Sequence, residues 1–499
     1  MKRQRWIWAL RVALFCALTA AAAAGLSRVM QRKEDVMRIR PFVEQGKEMD
    51  VLFLGDSLVM NGVYPLELWK RYGIASYNVA CPNSPMAVRY WTLLNALDYA
   101  APKLVVLDIK DIDDEGRLPE SSGTLHNSLD IWPASATKVR AVLDLLDDPE
   151  AMDSEGNRYM DLRAEFLFTL ARYHFRWKEL TQEDFHPAPN REKGAEMAVR
   201  INDPREYTLV DEDARMEENV DGFASLRRII EETQRRDIPL LLVHMPHPSA
   251  EHSQLAANTV RDIAEEYGVP FADLVRMDCV VDYSIDMHDP KAHLNPSGAR
   301  KATDFLGRYI MDHFDIPDRR GEAAYAHWDA EYDAYVNGKL EALRGETNPQ
   351  NALMLLHDAD FSACVAVREG VNYGKNRLER LLQNIPREHV FEEDVGQKWA
   401  HELEPLGELQ YAETERSAYL LAMDRWYSEA HEWVGGGEGE IGTSFGTLAF
   451  RQEDGFALTI RHEDGEEHFF GEEAQDADLW IVVIDERTGE AAAALSYKL

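Results

Sequence analysis

The 499-residue sequence holds only four cysteines, Cys16, Cys81, Cys279 and Cys364. None sits in a CxxC pair or at a Cys/His metal spacing, so neither a zinc site nor a disulfide framework is expected, and the thiols read as buried and free. Glycine and proline are sparse, at 30 and 21, while 45% of residues are apolar. That balance excludes a collagen-like or mainly disordered chain. Basic residues are also in short supply: 54 Lys and Arg face 89 Asp and Glu, for a formal charge of −35. A surface of that sign repels phosphate backbones, so no nucleic-acid partner is expected. No internal repeat is present, and the length leads to two domains plus connecting pieces.

Acidic residues are absent from the first 33 positions, which carry Lys2, Arg3, Arg5, Arg11, Arg28, Arg32 and Lys33. The rest of the chain is therefore more acidic than the whole-chain charge implies. Between these bases runs an apolar stretch, Trp6 to Leu26, broken only by Arg11 and Thr19. It lacks the polar face of a soluble amphipathic helix. Two readings remain: a signal-anchor helix of about 20 residues, enough to span a bilayer, or a signal peptide cleaved near Ala20 to Ala24. Either exports residues 34 to 499 from the cytoplasm.

From Asp50 onward, strand-like and helix-like segments alternate. Val51–Leu54, Ser76–Ala80, Leu104–Ile109, Pro239–His244 and Val269–Leu274 read as strands, with helical patterns between them and a last helix from Pro296 to Phe314. This predicts an α/β fold: a three-layer α/β/α sandwich on a parallel five-stranded sheet. The expected core domain spans 45–320. Residues 115–215 form a polar, helical insertion bearing the cluster Arg172-Tyr173-His174-Phe175-Arg176-Trp177, read either as a packing anchor or as a wall of a ligand cleft. A helical linker is expected over 321–348. A smaller mixed α/β, β-rich domain follows over 349–499, with helices at 378–382 and 419–427, a glycine-rich turn over 434–442 and strands near its end.

The first strand ends in Gly55-Asp56-Ser57-Leu58, placing a serine at the carboxyl end of a central strand, where parallel sheets carry their sites. There its hydroxyl can meet a ligand while its own N–H faces a developing oxyanion. After the fifth strand comes Asp286-Met287-His288-Asp289-Pro290-Lys291-Ala292-His293-Leu294-Asn295-Pro296. Pro296 suits a first helical turn and Asn295 its cap, which leaves His293 on the edge that bears Ser57. His293 then serves as base, and a carboxylate orients it. The candidate triad is Ser57, His293 and Asp289, with Asp286 and His288 as alternates. His244 and His247 follow the fourth strand and read as cleft-lining residues; no metal and no cofactor is expected.

The GDSL strand, the D…HLN segment and the sheet between them resemble the SGNH/GDSL hydrolase superfamily over about residues 45–320. DVLFLGDS, GIASYNVA, KLVVLD, RYHFRWKELTQEDF, IPLLLV and HLNPSGARKAT are most similar to its membrane-anchored bacterial members. Those are relatives of the DltD and AlgX/AlgJ group, associated with acyl groups on cell-surface polymers. The resemblance implies an esterase or O-acyltransferase acting on acylated polysaccharide of the cell envelope, tethered by the N-terminal helix and working with a polysaccharide synthesis complex. The other implied role is a degenerate glycan-binding or synthase-assembly protein. The sequence departs from the family pattern in three places. Ala80 or Cys81 stands where the second block has glycine, and Asp108-Ile109-Lys110-Asp111 lacks the third-block asparagine. Asp289 lies four residues before His293 rather than three. Asp56, Asn78, Asn83 and Asn295 are the candidate supporting residues, with Asn83 in line to replace the missing oxyanion donor. In the C-terminal domain, Ala363–Glu369 and Leu479–Asp485 resemble the interleukin-like EMT inducer (PANDER-like) domain, which implies binding, with glycan as the ligand class.

Overall fold

The computed structural model describes residues 2–367, 381, 417–423, 428–434, 437–443, 446–452, 456–461, 465, 467–470 and 477–499, apart from 114–115, 189, 219, 278–280 and 357–359. Cys279 and, Leu381 apart, the helix expected over 378–382 lie outside the described residues.

Five short strands build the central sheet: β1 (Val51–Gly55), β2 (Ser76–Ala80), β3 (Leu104–Asp108), β4 (Leu240–His244) and β5 (Phe271–Asp273). All pair in parallel, in the order β2-β1-β3-β4-β5. β1 to β4 are buried along their whole length, as a parallel sheet with helices on both faces demands. Their side chains divide by the two-residue period of a strand. Leu52, Leu54, Val105, Leu107 and Leu242 join one apolar cluster with Phe223, Ile229 and Val260 from helices. Val51, Phe53, Val106, Leu241 and Val243 join the other, with Leu58, Ala302 and Leu306. This is the expected α/β/α sandwich.

The register brings the carboxyl ends into line: Gly55 pairs with Ala80, Asp108 with Val243, and His244 with Asp273. The insertion between β3 and β4 holds several short helices up to Phe185, but residues 187–220 contain no helix or strand among those described. At the N-terminus, α1 (Lys2–Met30) is long and apolar enough to cross a membrane, and no part of its apolar window is buried. It leads into α2 (Lys33–Gln45), whose Ile39 and Phe42 enter the core.

Helix Ala326–Arg344 packs against the sandwich through Trp328, Val336 and Leu340, which share the apolar cluster of β1 and β3. Beyond it are two antiparallel sheets. One has the order β14-β13-β6-β7-β8 and the other β12-β11-β10-β9, with β6 Phe361–Val367, β7 Ser417–Met423, β8 Ser428–Val434, β9 Gly437–Thr443, β10 Gly446–Gln452, β11 Phe456–Arg461, β12 Glu467–Phe470, β13 Leu479–Asp485 and β14 Glu490–Tyr497. Two expectations are corrected here. The helix expected from Tyr419 is strand β7, bonded to β6 on one side and β8 on the other; a run of seven mostly apolar residues carries no period that separates strand from helix. The glycine-rich turn over 434–442 is instead mostly strand β9, which pairs with β10 despite glycines at 437, 439 and 442.

Candidate active site

β1 turns directly into a short helix, α3 (Ser57–Gly62), with Ser57 as its first residue. Asp56 caps it by accepting the Leu58 N–H at 2.7 Å. The Ser57 N–H heads the helix, where no intrahelical acceptor exists. The turn requires glycine before it: a Cβ on Gly55 would lie 2.4 Å from Val59 Cγ2 and 3.0 Å from Asp108 Cβ.

On the other side, Asn295 caps helix Pro296–His313 by accepting the N–H groups of Ser297 and Gly298 at 3.1 and 3.2 Å. Its amide donates to Ile285 O at 2.6 Å. Just before this cap, His293 Nε2 stands 2.7 Å from Ser57 Oγ, and its Nδ1 bonds the Asp289 carboxylate. Asp289 also accepts the N–H groups of Lys291 and Ala292 at 2.8 and 3.0 Å. Burial raises its carboxyl, but these N–H groups and His293 outweigh that and hold it below the usual carboxylate range. An ionised Asp289 keeps the proton of neutral His293 on Nδ1, which leaves Nε2 to accept from Ser57. The extra residue between Asp289 and His293 is absorbed by this turn.

The two alternates sit elsewhere. Asp286 is fully buried and holds Lys301 Nζ and Ser297 Oγ, each at 2.7 Å, as a brace for the helix start. His288 bonds the His293 carbonyl through its own backbone N–H at 2.8 Å, while its ring Nδ1 is buried without a partner. Neither reaches Ser57 through any hydrogen bond among the described residues. Asn78 works from below: its amide donates to Val59 O and Val63 O at 3.2 and 2.8 Å, fixing α3. Asn83 occupies a left-handed turn at φ 46° and lines a cavity of about 840 Å³ together with Lys110, Asp111, Arg117 and Tyr159.

Where the resemblance calls for asparagine, Lys110 stands. Its Nζ donates to Asp56 Oδ2 and Asp111 Oδ2, both at 2.7 Å. Arg89, buried, adds a second cation 3.9 Å from Asp56 Oδ2. Burial alone would raise the Asp56 carboxyl; Lys110 and Arg89 reverse this and hold it well below the usual range. Its like-charged neighbours move the other way. Burial and then Asp56 push Asp111 up to about 7 and Asp108 up to about 6. A preformed charged lattice therefore lies under the serine turn.

His244 and His247 are buried rather than cleft-lining. His244 Nδ1 is 2.9 Å from Asp273 Oδ1, and its Nε2 is 3.5 Å from Ser249 Oγ. His247 bonds Met245 O at 2.9 Å, and burial followed by His244 lowers it to about 3. Among the described residues no cluster of three or more His, Cys, Asp or Glu is placed to hold a metal ion. Sequence reading missed Lys110, Ser249 and Asp273; the available signal was that Asp273 ends a strand and that Lys110 and Ser249 lie in the loops that follow two others. The sequence matches no protein-family model and no curated protein.

Proposed function

We propose that the chain is an SGNH-type serine esterase or O-acyltransferase, held at the membrane by α1 and acting outside the cytoplasm on acyl groups of cell-envelope carbohydrate. The observation that carries the reading is the continuous Ser57–His293–Asp289 relay at the carboxyl edge of the parallel sheet. In this scheme Ser57 Oγ attacks the ester carbonyl while His293 Nε2 takes its proton. The Ser57 N–H receives the oxyanion, and His293 returns the proton to the departing sugar oxygen. The acyl group now sits on Ser57. Water attack completes hydrolysis; attack by a sugar hydroxyl completes transfer. The resemblance extends the reading to work beside a polysaccharide synthesis complex.

The second reading, a glycan-binding or assembly protein without turnover, draws on Lys110 in place of the asparagine donor. A missing oxyanion donor costs about 100-fold to 1000-fold in turnover. Labelling by a fluorophosphonate probe separates the two. Adduct on Ser57 that is lost in His293→Ala supports the enzyme, and no adduct at saturating probe leaves only the binding role.

A further inference from the structure

We infer that the insertion seats its aromatic rim in the lipid–water interface around the exit of α1, so that the protein lies against the bilayer rather than swinging from a tether. This rests on the reading of α1 as a membrane anchor. The motif Arg172–Trp177 does not line the catalytic cleft. Only Tyr173 is buried, with its hydroxyl donating to Asp130 Oδ2 at 2.8 Å. Phe175 and Trp177 instead point outward, as do Phe168 and Phe185, each more than half exposed.

These four aromatics share one location. Phe168 precedes Thr169, whose hydroxyl bonds Ser27, the residue after the apolar run ends. Phe175 and Trp177 flank Arg176, which donates to Met30 O at 2.6 Å. Phe185 follows Asp184, which accepts from Arg176 at 3.1 Å and pairs with Lys33 at 3.6 Å. Every exposed ring thus adjoins a residue that grips the last turn of α1 or the start of α2. The apolar run from Trp6 to Leu26 spans about 30 Å at 1.5 Å per residue, the thickness of a hydrocarbon core. Its end sets the level of the interface, and the residues beside the rings meet α1 at Ser27 and Met30, within about 6 Å beyond that end at the same rise.

The chemistry suits the same place. Trp177 carries the indole N–H that favours headgroup depth, and the three Phe rings are apolar side chains of the kind that interfacial segments bury at the acyl boundary. Lys178 lies over the Trp177 ring at 5.1 Å, and Arg28, Arg32, Lys33, Arg172 and Arg176 lie in the same region, the last three paired with Asp184, Glu165 and Glu179. A cavity of about 560 Å³ opens between the helix exit and the insertion; its lining is mainly apolar, with Val29, Met37, Trp132 and Phe185, and its bases Arg28, Lys33 and Arg40 are matched by Glu44, Asp130 and Asp184. Because the insertion leaves the sheet beyond Lys110, seating it fixes the Ser57 edge relative to the bilayer.

The test uses full-length protein in phosphatidylcholine–phosphatidylglycerol vesicles, with Cys16 and Cys279 replaced by alanine. Nitroxide labels are placed through Leu14→Cys, Trp177→Cys and, as an exposed control on the insertion, Leu209→Cys. Collision with a water-soluble nickel complex is expected to be severalfold lower at 177 than at 209, and lowest at 14. Replacing Phe168, Phe175 and Phe185 by serine should return 177 to the level of 209 and leave 14 unchanged. If 177 is as accessible as 209 while 14 is shielded, the seat is overturned and the anchor stands. If 14 is itself accessible, the anchor reading falls and takes the seat with it. Shielding of 177 that requires a second membrane protein assigns the patch to that protein and also overturns the proposal.

Discussion

Two serine–histidine–aspartate sets lie on one edge of the parallel sheet, and only one is arranged for chemistry. In the outer set, Ser57 Oγ and His293 Nε2 are 2.7 Å apart and the His293 side chain is 29% exposed. In the inner set, Ser249 Oγ and His244 Nε2 are 3.5 Å apart and the His244 side chain is 2% exposed. Their carboxylates differ as well. Asp289 is bonded by backbone N–H groups and His293, while Asp273 is shared among His244, Arg261 and Arg276. The inner set ties the ends of β4 and β5 together; the outer one presents a serine hydroxyl at a helix N-terminus. Residue types alone do not make a triad, because access and an oxyanion donor decide.

The sharpest way to break this comparison is to remove each serine in turn. Ser57→Ala should cut acyl release by a factor on the order of 10⁴ or more, while Ser249→Ala leaves it within about twofold of wild type, both measured with a p-nitrophenyl ester. Equal losses would place the chemistry elsewhere. The carboxylates give the next contrast. Asp289→Asn should lower kcat about 10⁴-fold by releasing the His293 tautomer, whereas Asp273→Asn should leave kcat intact and cost about 1–3 kcal/mol in chemical unfolding.

Two smaller effects probe the charged lattice between the sets. Lys110→Met leaves the buried Asp56 with Arg89 alone, and should lower unfolding free energy by about 3 kcal/mol. Asp108 has the opposite sign. With its carboxyl raised to about 6, the folded state binds more protons than the unfolded chain from about pH 4 upward, so stability falls as pH rises through that window. Asp108→Asn, which can keep the bond to the Met245 N–H, should flatten this fall and gain up to about 3 kcal/mol at pH 7 over the wild type. An unchanged pH profile in urea melts would remove Asp108 as its source.

Most of the parallel sheet was legible because apolar runs such as Leu104–Asp108 are short, bounded by turn residues and separated by helical patterns. Ser57, His293 and Asn295 were legible because each sits where a strand ends or a helix begins. Lys110 was not, since its partner Asp56 lies 54 positions away and only the β1–β3 register brings them together. His244 and His247 misled because histidine at a strand end looks the same in sequence whether it lines a cleft or is sealed beneath one. Strand β7 misled because pairing across a sheet, rather than any local period, decides what Tyr419–Met423 becomes. The cluster at Arg172–Trp177 was read as one unit, yet its residues divide between core and surface according to where α1 emerges.

The helix Ala326–Arg344 carries a practical consequence. Glu67, buried in helix Pro65–Tyr72, is neutralised by Lys339 at 2.6 Å and bonded by Tyr335 at 3.2 Å, and Trp69 packs on Tyr325 and Trp328 with ring centres 6.1 and 5.2 Å apart. A fragment ending before Ala326 would lose the Lys339 and Tyr335 partners of Glu67 and bare the Trp69 indole to water. On its other side the same helix is tied to the C-terminal sheet, Tyr332 to Asp360 and Arg487 to Asp333 and Asn337, and one apolar cluster runs from Trp328 through Leu355 to Ile481 and Val483, so anyone trimming the gene for expression should leave this helix and the strands behind it in place.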